Sequence, residues 1–246
     1  MKTSIIAFLL VLANMANSYA HYMWLETPAA GKLNTRHDVK IRFGEYTYGL
    51  IEKVSDEAFQ RVRNFDVWLV DPDGKKSRLD ISPGEDYYLA SFVPGKKGTY
   101  TLALDNKNME VLDYRQYDLG VMKPQYHAKA KVVVGETFLP VKSTNPGGIE
   151  IIDYSDRSYR VNGEVKLQVL FKGEVLPKNE VSIYIPDLWA KKVWTDENGM
   201  ITFNLPWNQM YTVEAIYHEN TPGSFQQQAY EYIWHCASWC MTPSVN

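Results

Sequence analysis

Between residues 39 and 234 the chain is a succession of short runs with alternating or continuous apolar character. Nearly every run ends in a turn signal, and none sustains the 3.6-residue period of a helix. Residues 39–43 (VKIRF) alternate as a half-buried strand does. Residues 65–70 (FDVWLV) stop at Asp71-Pro72-Asp73-Gly74, and residues 87–93 (YYLASFV) stop at Pro94-Gly95. Residues 98–104 and 127–134 complete a first unit. Within it, residues 48–63 read as a helix or long insertion, and residues 107–126 as irregular. A second unit follows the turn Pro146-Gly147-Gly148, with strands over 148–152, 165–171, 180–185, 210–217 and 229–234. Residues 192–194 and 200–205 flank Thr195-Asp196-Glu197-Asn198-Gly199, and the Asn-Gly pair predicts a β-hairpin there.

This pattern predicts an all-β fold, two immunoglobulin-like β-sandwich domains in tandem. One such domain takes about 100 residues, and the chain has 246. The expected division is residues 1–20 as a signal peptide, 21–137 as the first sandwich and 138–246 as the second. No Gly/Ser linker separates the halves, so they should pack together. Both carry an Asp-x-x-Gly turn before an alternating strand, an echo of topology more than of sequence. The aromatic share of 13% suits strands and cores. A net charge of −3 argues against nucleic-acid partners, and two cysteines are too few for a disulfide scaffold.

The first twenty residues have the form of an export signal. Lys2 is followed by the apolar run IIAFLLVL, and small residues stand at Ser18 and Ala20. The run is far shorter than the roughly 20 residues that span a bilayer. No later stretch is apolar enough to do so. A periplasmic or secreted protein with no span after cleavage is expected. Cleavage after Ala20 would make His21 the amino terminus. Its α-amine and ring nitrogen could then chelate one metal, a geometry closed to an internal histidine. Nitrogen donors of this kind suit Cu, Ni and Co.

Several segments together carry a family resemblance. They are Ala20-His21-Tyr22-Met23-Trp24-Leu25-Glu26, Phe43-Gly44-Glu45-Tyr46, Ser91-Phe92-Val93-Pro94 with Gly98-Thr99-Tyr100, Gly148-Ile149-Glu150-Ile151-Ile152, Thr195-Asp196-Glu197-Asn198-Gly199 and Tyr230-Glu231-Tyr232-Ile233-Trp234-His235. In this order they resemble a family of exported two-domain β-proteins of unknown function. Its members are often described as periplasmic components of cobalt or nickel uptake systems. The second half is also similar to small immunoglobulin-like modules of surface proteins. The resemblance implies export, two β-domains and handling of a divalent metal. It transfers no ligand set.

The five histidines are His21, His37, His127, His218 and His235. None forms an H-x-x-x-H pair, so a metal site would have to gather distant residues. His21, His127, His218 and His235 are the candidate ligands for Ni, Co or Cu. His218 and His235 would approach each other if strands 210–217 and 229–234 pair. His127 could face the domain junction. His37 reads as a surface or turn residue. Cys236 and Cys240 read first as a disulfide, given a turn at Ala237-Ser238, and otherwise as soft metal ligands or free thiols.

No nucleophile elbow, phosphate loop or dinucleotide fingerprint is present, and no enzyme is expected. The leading expectation is an exported metal-binding protein that assists uptake, working with a membrane metal transporter. The alternative is a non-catalytic immunoglobulin-like module that binds a surface protein or glycan. A copper oxidative enzyme would need a second histidine beside His21.

Overall fold

The computed structural model describes residues 21–136, 141–155, 159–185 and 189–243. The expected signal peptide and the boundary between residues 137 and 138 lie outside them. The main strands are β1 (Tyr22–Glu26), β2 (His37–Glu45), β3 (Asp66–Val70), β4 (Tyr88–Phe92), β5 (Gly98–Asn106), β6 (Val121–Val134) and β7 (Ile149–Asp153). They continue as β8 (Glu164–Phe171), β9 (Glu180–Ile185), β10 (Trp189–Trp194), β11 (Met200–Asn204), β12 (Tyr211–Glu219) and β13 (Tyr232–Met241). One short helix, α1 (Glu57–Val62), occupies the expected insertion and buries Phe59 and Val62. No helix among the described residues is long and apolar enough to cross a membrane.

The fold is all-β, built from sheets packed face to face. A central sheet runs β10-β9-β12-β13-β6-β5-β3 and passes through both halves of the chain. Its two halves meet where β6 and β13 pair in parallel, from Met122 opposite Tyr232 to Lys129 opposite Trp239. A smaller sheet of β1, β2 and β4 covers one face, and a sheet of β7, β8 and β11 covers the other. The two sandwiches thus share one sheet, and their cores lie on its opposite sides.

Strand alternation makes this possible. Along β13, Cys236 and Cys240 enter the first core, while Ala237, Trp239 and Met241 enter the second. With both faces covered, residues 235–241 are all buried, as parallel strands generally are. Along β6, Tyr126, Ala128, Ala130, Val132 and Val134 face the first core. The intervening His127, Lys129 and Lys131 face the side of β7. There the Lys129 ammonium meets Glu150 at 3.0 Å and Lys131 meets Asp153 at 2.5 Å, all four side chains essentially without solvent contact. A buried charge is tolerated only when paired and hydrogen-bonded, so this ladder ties the second sandwich to β6 in one register.

The structure departs from expectation at the turn 195–199 and at the two cysteines. The turn at residues 195–199 forms, with Gly199 N–H donating to Asp196 O at 2.9 Å and Asn198 N–H to the Asp196 carboxylate at 2.8 Å. It is not a hairpin, because β10 pairs with β9 whereas β11 pairs with β8. The turn carries the chain from one sheet to the other. Local turn chemistry specifies the reversal but not the partner of each arm. The Cys236–Cys240 disulfide is also absent: both cysteines are free and buried. They sit in one unbroken strand, where residues four apart are about 13 Å from each other, beyond disulfide reach.

Candidate functional site

His21 stands at the entrance to β1. Tyr22 pairs with Gly44 in an antiparallel ladder, so His21 lies alongside Glu45. The Tyr126 hydroxyl donates to the His21 carbonyl at 3.0 Å. The imidazole packs on the Phe43 ring, with centroids 5.3 Å apart. Its Nε2 lies 2.7 Å from Glu52 Oε1. Glu52 reaches that position because residues 50–51 fold back antiparallel onto β2, and its N–H donates to Phe43 O at 2.9 Å. Gly44 permits the return: at φ 149° a Cβ there would lie 2.3 Å from Leu50 O.

A carboxylate oxygen this close to Nε2 accepts its proton, so in the neutral ring the lone pair falls on Nδ1. Nδ1 is also the atom that would close a chelate with an α-amine on the same residue. A carboxylate that fixes the tautomer of a ligating histidine is a recurring arrangement around metals.

Behind His21 is a group of buried polar side chains. Glu45 is 7% exposed, and among the described residues neither its Oε2 nor the fully buried Tyr22 hydroxyl has a hydrogen-bond partner. Burial pushes the Glu45 carboxyl up to about 7, opposed by the nearby His21. Glu214, on β12, accepts a hydrogen bond from the Cys236 thiol at 3.3 Å. Burial pushes it up to about 7 as well, and Glu45 adds to the rise. Burial raises the Cys236 thiol far above its usual range and Cys240 to about 12. Burial thus keeps both groups as thiols near neutral pH in the metal-free chain.

The other histidines do not converge on His21. β12 and β13 pair as expected, but Tyr217 is opposite His235 and His218 is opposite Trp234. That one-residue offset sends the two imidazoles to opposite faces of the sheet. His235 contacts Glu219 at 3.0 Å and packs on Phe171, while His218 stacks on Tyr232. His37 is buried, not superficial: its Nε2 is 2.8 Å from the Thr27 hydroxyl, and it stacks on Phe92. Its first polar partner comes from ten residues upstream, which local sequence does not reveal. His127 does face the junction. Its Nδ1 is 2.8 Å from Asp105 Oδ1, and its Nε2 is 3.1 Å from the Thr144 hydroxyl. Among the described residues, no group of three or more His, Cys, Asp or Glu side chains is placed to hold a metal ion.

Glu45, Glu52, Glu214, Asp105 and Thr144 carry no motif that marks them in the sequence. The signal available for two of them was the Phe43-Gly44-Glu45 segment: a glycine within a strand marks a close backbone approach, here that of the segment bearing Glu52.

No curated protein matches this chain. Among solved structures, a DUF4785 family protein from Legionella pneumophila subsp. pneumophila str. Philadelphia 1 aligns at 9% identity and a TM-score of 0.29, over 78% of this chain and 51% of the other. This chain therefore spans about half of the Legionella protein's length. A marsupial T cell receptor aligns at 7% identity and a TM-score of 0.26, over 91% of this chain and 74% of the other. These similarities are too slight to carry an argument. The family comparison is decisive where they are not: a model described as "Domain of unknown function (DUF4198)" matches residues 18–219, and the chain belongs to that family.

Proposed function

We propose that the protein, once cleaved after Ala20, captures a divalent transition metal at His21 outside the cytoplasm and passes it to a membrane transporter. The supporting observation is the 2.7 Å contact between His21 Nε2 and Glu52. It sets the tautomer in which Nδ1 and the new α-amine act together. The open Glu45 oxygen beside them supplies a candidate third donor. A nitrogen-rich set completed by carboxylate oxygen fits Ni, Co or Cu, with the bound metal serving as cargo. His127, His218 and His235 stay outside this site in the proposal, because each is engaged elsewhere and on another face.

The test is calorimetric titration of Ni, Co and Cu into a chain beginning at His21, against one carrying an additional Ala before it. The extended chain should bind at least ~10-fold more weakly, since losing one good ligand interaction costs more than about 1.4 kcal/mol. Equal affinities would refute the chelate. Glu52→Gln should weaken binding by about 10–100-fold, the usual effect of removing such a partner.

A non-catalytic interaction module is the second reading. Its own support is β10, an edge strand of the central sheet whose Trp194 is 61% exposed. Metal-independent retention of a surface protein or glycan, lost in Trp194→Ala, would favour it.

A further inference from the structure

His127, Asp105 and Thr144 come from three separate segments. Asp105 is at the end of β5, His127 is on β6, and Thr144 is in the stretch that leads into β7. They form one hydrogen-bonded row: Asp105 Oδ1 to His127 Nδ1 at 2.8 Å, then His127 Nε2 to Thr144 Oγ1 at 3.1 Å. The positions of the protons follow from chemistry. Burial would raise the Asp105 carboxyl, but the hydrogen bond from His127, together with the charges of His127, Lys107 and Lys76, outweighs it, and the group is held below its usual range. Asp105 is therefore ionised and can only accept. The proton between them belongs to Nδ1, and burial favours the neutral ring. Nε2 is then a lone pair, and the Thr144 hydroxyl must donate to it. This is the polarity of a hydroxyl nucleophile, its base and the carboxylate that orients the base.

The row is anchored, and its threonine end borders a cleft. Thr144 N–H donates to Glu150 Oε2 at 2.9 Å, and Glu150 is itself held by Lys129 and by the Ser143 hydroxyl. Thr144 lines a cleft of about 430 Å³ together with Lys76, Lys142, Ser143, Val70 and Pro146. Two lysines at a cleft whose walls mix polar and apolar groups suit a small molecule bearing a negative charge.

The geometry points to a second site, independent of His21, at which Thr144 is a nucleophile toward small anionic esters. Thr144 Oγ1 adds to the ester carbonyl carbon as its proton passes to His127 Nε2. The carbon–oxygen bond to the alcohol breaks, and the alcohol departs with that proton. Water then attacks the acyl-threonine, giving its proton to His127, and the acid leaves as the Thr144 hydroxyl is restored. His127 is the general base, and Asp105 is a positioning residue.

The experiment uses the full mature chain in EDTA, so that its outcome is separate from that of the metal reading. A fluorophosphonate probe should form an adduct mapped by peptide mass spectrometry to Thr144. 4-Nitrophenyl hemisuccinate should be hydrolysed faster than 4-nitrophenyl acetate. Thr144→Val should lower kcat by about 100-fold or more while Thr144→Ser retains activity, the scale expected when a triad member is lost. Asp105→Asn should lower kcat with KM unchanged, and Asp105→Glu should recover part of it. Absence of an adduct on the unmodified chain would overturn the proposal without any variant having to fold. So would a folded Thr144→Val chain as active as its parent.

Discussion

Replacing Lys129 by Met tests the ladder that joins the two sandwiches. Lys129 Nζ lies 3.0 Å from Glu150 Oε2 and 3.0 Å from Lys142 O, and neither charged side chain of the pair has solvent exposure. Met fills most of the lysine volume, so the cavity contribution is small. What remains is an uncompensated buried carboxylate, and breaking such a pair costs about 3–5 kcal/mol. Glu150 keeps its hydrogen bonds from the Ser143 hydroxyl and Thr144 N–H, which places the expectation near about 3 kcal/mol. The double variant Lys129→Met, Glu150→Gln should recover most of that loss, because neither position then carries an uncompensated charge. The pH dependence has a definite sign. In the parent chain burial raises the Glu150 carboxyl, but Lys129 and the hydrogen bonds dominate and hold it below its usual range. The pair thus stabilises the protein above the unfolded carboxylate range, and the stability is lost as pH falls. Without Lys129 the folded carboxyl moves upward, so the variant's deficit should shrink toward pH 4. Urea unfolding at several pH values, followed by Trp fluorescence, measures this. A single-variant cost below about 1 kcal/mol at pH 7, or no recovery in the double variant, would refute the argument.

Gly44→Ala should cost about 1–3 kcal/mol and lower the melting temperature, since its Cβ would strike Leu50 O from a backbone conformation that side chains disfavour. It should also weaken metal binding by displacing Glu52. Glu214 has a folded value of about 7 against 4.5 for a free carboxyl. The folded state thus holds the extra proton between those values, and stability should fall as pH rises through that window. Glu214→Gln should flatten that decline, which is worth up to about 3 kcal/mol, in urea titrations from pH 4.5 to 7.5. Cys236 and Cys240 should resist iodoacetamide in the native protein and both react in urea, with the same intact mass before and after reduction. A native mass two hydrogens lower would show the disulfide instead.

Much of the fold was legible because it is encoded over short distances. Residues 165–171 alternate visibly, since that strand has one partly solvated face, and residues 39–43 alternate because Lys40 and Arg42 point away from the first core. Asp71 and Asp196 announce their turns because carboxylate-to-backbone bonds two residues on are local. β13 was cut short at Trp234 for the opposite reason. His235 to Met241 is buried on both sides, so its pattern of His, Cys, Ala, Ser, Trp, Cys and Met has no polar face to alternate with. The start of β6, residues 121–126, carries no local strand signal because its parallel neighbour lies more than a hundred residues away.

The candidate sites divide along the same line. Position 21 could be singled out from the signal-like pattern of residues 1–20, which is a linear feature. The strand repertoire, the length and the turn residues likewise determined an all-β chain with room for two cores. Which residues meet was decided by tertiary structure alone. Glu52 reaches His21 only through the fold-back at Gly44, and the offset of β12 against β13 separates His218 from His235. Asp105, His127 and Thr144 line up only where β5, β6 and the approach to β7 are stacked. Pairing register and sheet order are long-range choices, made by burial and charge compensation across the whole molecule, and no window of sequence contains them.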